Sequence, residues 1–109
     1  MTVRNPAWHA VATLDEVWEG EMKPVEVDGK PIVLINVGGT VCAYDDRCPH
    51  SGTPLSEGML DGAILTCSAH EWVFDTRMGR GVNPATACLH RVAVRVDGEV
   101  ISVCPEEDR

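Results

Sequence analysis

Cys48 stands two positions before His50, and Cys67 three before His70, with sixteen residues between the two pairs. Thiolate and imidazole both bind transition metals well, so these side chains make a four-coordinate sulfur and nitrogen set. A single structural zinc would take such a set as a tetrahedron. Zinc modules, however, usually pair cysteine with cysteine and histidine with histidine, at C-x₂₋₄-C and H-x₃₋₅-H. Here each segment supplies one of each. That mixed arrangement also suits two metal ions, one taking both thiolates and the other both imidazoles. Cys42, Cys88 and Cys104 read as ordinary buried or surface thiols, since such a cysteine packs like a small hydrophobe. His9 and His90 read as surface or boundary histidines.

The rest of the chain must position those four residues. Its 109 residues are expected to form one domain, 1–109, with a real core and no disulfide staples. No run approaches the ~18 apolar residues of a membrane span, and the start "MTVRNPAWHA" has no apolar h-region. A cytoplasmic location and a monomeric state are the expectations. The net charge of −8 argues against nucleic acid and suits steering toward a basic protein surface. Asp28-Gly29, Gly38-Gly39, Asp61-Gly62 and Asp97-Gly98 punctuate short apolar runs and predict type I′ hairpin turns. "PIVLINV" and "VCAY" predict a strand pair around Gly38-Gly39. Val92, Val94 and Val96 with Val100–Val103 predict another, edge-like and buried on one face. Thr13 and Glu16 have capping-box spacing, predicting a helical turn at Thr13–Trp18 with Leu14, Val17 and Trp18 toward the core. Trp8 and Trp18 are expected in the core. The whole reads as all-β, a small antiparallel β-sandwich or barrel. Both Cys–His pairs fall in its loops, with "MLDGAILT" as the hairpin arm that brings them side by side.

"CPHSG" (48–52) and "CSAH" (67–70) resemble the two ligand loops of Rieske ferredoxins, and the likeness covers nearly the whole chain. "CSAHEWVFDTRMGRGVNP" is most similar to the ferredoxins of soluble diiron monooxygenases of the toluene type. Glu71 and Trp72 stand where ferredoxins of ring-hydroxylating dioxygenases more often have Gly and a smaller residue. The resemblance implies a Rieske fold whose cluster-binding subdomain is formed by two ligand loops. It implies one [2Fe–2S] cluster, with Cys48 and Cys67 on one iron and His50 and His70 on the other. Gly52 and Gly58 would let the first loop fold tightly, and Pro84 would stiffen a third covering segment, "GRGVNPA".

The same resemblance implies a function. A Rieske oxygenase carries its catalytic mononuclear iron on a further, larger domain, for which 109 residues leave no room. No flavin or nicotinamide fingerprint is present. What remains is a one-electron carrier, not itself catalytic. It would run from an NADH-dependent reductase to a diiron hydroxylase, or alternatively to an aromatic-ring dioxygenase. Two thiolates instead of four leave the oxidised cluster neutral, which raises the potential above that of all-cysteine ferredoxins. High-potential respiratory Rieske proteins have a loop disulfide and Ser and Tyr hydroxyl donors. Thr53, Ala69, Trp72 and Phe74 replace these, implying a potential near the low end of the Rieske range. Glu71 and Trp72 would form the docking tip, with Glu57 and Asp75 at its margin and Arg77 and Arg80 partly offsetting them.

Overall fold

Glycine-centred turns divide the chain into ten short antiparallel strands in the computed structural model, which describes residues 8–48, 53–67, 72–83 and 88–108. They are β1 (His9–Thr13), β2 (Met22–Val27), β3 (Lys30–Val37), β4 (Thr40–Asp45), β5 (Met59–Asp61), β6 (Ile64–Thr66), β7 (Val73–Asp75), β8 (Arg80–Asn83), β9 (Arg91–Asp97) and β10 (Val100–Asp108). Six form one sheet in the order β1-β10-β9-β4-β3-β2, and its outer strands β1 and β2 meet, so the sheet nearly closes into a barrel. The other four form a small sheet, β5-β6-β7-β8. The all-β expectation holds, with both barrel and layered character.

Residues 32–36 of β3 are all buried, because this strand has a core on each face. Ile32 and Leu34 point into the barrel with Val41, Ala43, Val92, Ile101 and Val103. Val33 and Ile35 point the other way with Cys42 and Tyr44, and the small sheet covers them with Leu65 and Phe74. This second layer also takes in Cys48 and Cys67. Buried Asn36 ties the barrel end together: its Nδ2 donates to the Val17 carbonyl (2.8 Å) and its Oδ1 accepts from Gly39 N–H (2.9 Å).

Several expectations change in detail. Asp28-Gly29 and Gly38-Gly39 do form two-residue turns with positive φ at both positions. The other two turns slip by one residue, to Gly62-Ala63 and Gly98-Glu99, with Asp61 and Asp97 paired inside their strands. Only the first turn residue has positive φ there, so Gly takes that place and Asp is released to the ladder. The β9–β10 pair is not an edge, because β4 and β1 flank it. The helical turn is a single 3-10 turn, Leu14–Glu16, and Thr13 N–H donates to Glu16 Oε1 (3.1 Å) as the capping spacing predicts. Val17 is buried beyond it, but Trp18 is 67% exposed, its indole N–H held by the Asp15 carbonyl at 2.8 Å. Trp8 is half-buried, with the Arg95 guanidinium 4.6 Å from its ring centre.

Candidate metal centre

The first loop leaves β4 and is bolted at its base. Asp46 is buried, and its carboxylate accepts from Ser56 N–H (2.8 Å) and Ser56 hydroxyl (2.7 Å), while its own N–H donates to Pro31 O (3.1 Å). Charge-assisted bonds of this kind are roughly twice as strong as neutral ones. They fix where the chain returns, at a 3-10 turn (Leu55–Glu57) whose Leu55 is fully buried. Gly58 then passes so close to β6 that an added Cβ would lie 2.3 Å from the Thr66 carbonyl oxygen. The expectation that Gly58 permits a tight fold thus has a specific cause. It lets the first loop pack against the strand that leads into the second.

The two loops close alike. Cys48 N–H donates to Thr53 O at 2.8 Å, and Cys67 N–H donates to Trp72 O at 2.7 Å. Each bond runs from residue i to residue i+5 and encloses four residues. Cys48 is 1% exposed and Cys67 0%, both in the buried layer that holds Leu55, Leu65 and Phe74. The enclosed segments, 49–52 and 68–71, lie outside the described residues, and with them His50, Gly52, Ala69, His70 and Glu71. A third closure forms at the other end of the small sheet: Arg80 bridges Cys88, and Leu89 N–H donates to Gly79 O at 2.8 Å. Its tip, 84–87 with Pro84, is likewise outside the description.

Other predicted residues fall as follows. Trp72 is half-buried, its ring 6.4 Å from that of Phe74 at an interplanar angle of 51°. Phe74 itself is fully buried. Asp75 pairs with Arg77 (3.4 Å), and those hydrogen bonds hold its carboxyl below the usual range. In register, Asp75 lies opposite Ile64 and Arg80, whereas Val73 lies opposite Thr66, which precedes Cys67. Asp75, Arg77 and Arg80 therefore sit at the end of the small sheet away from loop 68–71, not at its margin. Cys42 and Cys104 are buried and Cys88 is exposed. Cys88 and His90, both exposed, repeat a Cys-x-His spacing, but no group of three metal donors forms among the described residues. His9 is half-buried.

Sequence reading missed two fastenings. The first is the Asp46–Ser56 bolt. The second is Tyr44, whose hydroxyl donates to the Thr76 carbonyl from inside the second core, with the Arg91 guanidinium 5.8 Å from its ring centre. Burial raises the Tyr44 and Cys42 pKa values, with Arg91 pulling the other way in both.

Two thiols buried in one apolar layer, each at the mouth of a loop closed over four residues, suit a bound metal–sulfur group. Comparison with known proteins agrees. Residues 7–102 match the Rieske [2Fe–2S] domain. The chain is 39% identical over 89 residues to the alkene monooxygenase system ferredoxin component of Xanthobacter autotrophicus, covering 81% of this chain and 73% of that protein. It is 33% identical over 91 residues to the ferredoxin component of the naphthalene 1,2-dioxygenase/salicylate 5-hydroxylase systems of a Ralstonia species (83% and 88%). The ferredoxin of carbazole 1,9a-dioxygenase from Nocardioides aromaticivorans superposes with a TM-score of 0.82 at 30% identity, over 90% of this chain and 97% of that one. The chain belongs to the Rieske [2Fe–2S] domain family. The cofactor of that family is a [2Fe–2S] cluster.

Proposed function

We propose that this chain is a single domain, 1–109, that carries one electron at a time from an NADH-dependent reductase to the hydroxylase of a multicomponent diiron monooxygenase. Cys48 and Cys67 would hold one iron of the cluster and His50 and His70 the other. When bound, the cluster supplies reversible one-electron chemistry. The chain's own residues do the rest. Leu55, Leu65 and Phe74 keep water from the thiolate end, and the two i-to-i+5 amide bonds fix both cysteines at their loop mouths. The protein itself is not catalytic. It works as a monomer in the cytoplasm and binds each partner transiently.

The observation that carries this reading is the pair of matching cysteine loops opening from one buried layer. The monooxygenase partner rests on the "CSAHEWVFD" run and on the 39% identity to the alkene monooxygenase component. A second reading, a dioxygenase ferredoxin, is favoured by the 33% identity to the naphthalene dioxygenase component and by the carbazole dioxygenase superposition. Mixing the reduced protein anaerobically with each kind of terminal oxygenase separates them. Rapid oxidation by a diiron hydroxylase is expected. Delivery to a Rieske dioxygenase alone overturns the monooxygenase assignment.

A further inference from the structure

The end of the barrel opposite the cysteines carries most of the chain's charge. Cys48 follows the Asp45 end of β4, whereas the 3-10 turn, the segment 17–21 and the β3–β4 and β9–β10 turns lie at the Thr40 end. They form one surface, because Leu14 N–H donates to Glu99 O (2.8 Å), Gly20 N–H to Asn36 O (2.8 Å) and Asn36 Nδ2 to Val17 O (2.8 Å). Segments 13–22, 36–41 and 96–101 hold Asp15, Glu16, Glu19, Glu21, Asp97 and Glu99, all exposed, and no Lys or Arg. Six of the net eight negative charges therefore sit at this pole. The next cations along the strands are Lys23 and Arg95, and the Arg95 guanidinium is engaged by the Trp8 ring.

Apolar side chains stand among these carboxylates. Trp18 is 67% exposed, Val96 43% and Val100 40%. Trp18 is also held in place: its indole N–H donates to Asp15 O (2.8 Å) and its main-chain N–H to Glu21 Oε1 (3.0 Å). A ring already fixed loses little freedom on binding, and Trp is enriched among the residues that dominate protein interfaces. Its face attracts cations, as the carboxylates around it do. Nucleic acid, an anionic membrane and a second copy of this pole would all be repelled. A metal ion is not suited either, since no three donors converge among the described residues. We propose that this pole docks a basic protein surface, with a Lys or Arg of the partner over the Trp18 ring and others meeting Glu19, Glu21 and Glu99. A partner held there leaves the cysteine end of the molecule free. The surface is separate from electron carriage and does not depend on which oxygenase is the acceptor.

The test uses the cluster-loaded full chain, labelled with nitrogen-15, and two probes: an amidated hexapeptide of alternating Lys and Arg, and its counterpart of Gln and Ser. The basic peptide should move the Trp18 indole N–H and the amides of 19–21 and 97–100, less as salt is added, and the neutral peptide should move nothing. Trp18→Ala should weaken binding about two- to fivefold, as loss of an exposed cation–π contact requires. Glu19→Gln should weaken it more than Asp61→Asn, which removes the same charge from the small sheet. Shifts confined to the acidic run 106–108, or equal losses in Glu19→Gln and Asp61→Asn, overturn the proposal. So does unchanged affinity in Trp18→Ala; should that variant fail to fold, the position of the wild-type shifts decides.

Discussion

Gly58 shows how closely the two cysteine loops are drawn together. Alanine there would push a methyl to 2.3 Å from the Thr66 carbonyl, and backbone must yield. Gly58→Ala should cost about 1–3 kcal/mol, read as a drop of several degrees in melting temperature with faster loss of cluster colour. An unchanged melt would mean that β6 is not fixed where it appears. Asp46→Asn removes the charge from the bolt to Ser56 and should cost about 1.5–3 kcal/mol in denaturant unfolding. His50→Ala or His70→Ala should lose or degrade the cluster, while His90→Ala should leave its spectrum intact. The two cysteines that share the buried layer were legible as a pair because metal chemistry fixes residue type and spacing. The bolt and the paired i-to-i+5 closures were not. An Asp and a Ser ten positions apart carry no pattern, and main-chain hydrogen bonds leave no mark on residue type.

Among the elements, the β3–β4 hairpin is the plate that joins both cores, and Tyr44 fastens the small sheet to it. Tyr44→Phe deletes the bond to Thr76 and should lower stability by about 0.5–1.5 kcal/mol. Gly79 lies under the same ring at φ +71, with an added Cβ at 3.0 Å from Cε1, so Gly79→Ala should destabilise too. Tyr44 and Cys42 also set an alkaline limit. Their folded pKa values are raised, so the stability that they contribute is whole below the unfolded values, 10.0 for Tyr44 and 9.0 for Cys42, and falls as pH rises past them. The melting temperature should therefore decline above pH 9, less steeply in Cys42→Ala. Strand identity was legible here because apolar runs and glycine turns obey local rules. The slipped turns were not, because Gly62 and Gly98 can serve either turn position and only pairing with the neighbouring strand decides. Trp18 misled for a related reason: its indole N–H bonds the nearby Asp15 carbonyl and the residue stays exposed, where periodicity suggested the core.

For the whole molecule, the net charge of −8 makes encounter with a basic-rimmed partner faster at low salt and slower as salt screens it. Electron delivery to a diiron hydroxylase should slow with ionic strength, and a flat dependence would remove charge from the account of docking. Trp72→Ala should slow delivery while sparing the cluster, since the bond from Cys67 N–H to the Trp72 carbonyl survives the substitution. Cluster loss in that variant would make the ring a packing element. With Trp72 and Phe74 in place of hydroxyl donors, the potential should lie near the low end of the Rieske range, about −150 mV. A value well above zero would count against this. The central claim is that Cys48, His50, Cys67 and His70 hold a one-electron [2Fe–2S] cluster. The most direct measurement is metal and acid-labile sulfide content on the purified protein, together with paramagnetic resonance of its reduced form. The account predicts a red-brown protein with iron and sulfide in equal amounts and a rhombic signal coupled to two imidazole nitrogens. A colourless protein holding one zinc, or an iron signal with no nitrogen coupling, would contradict it.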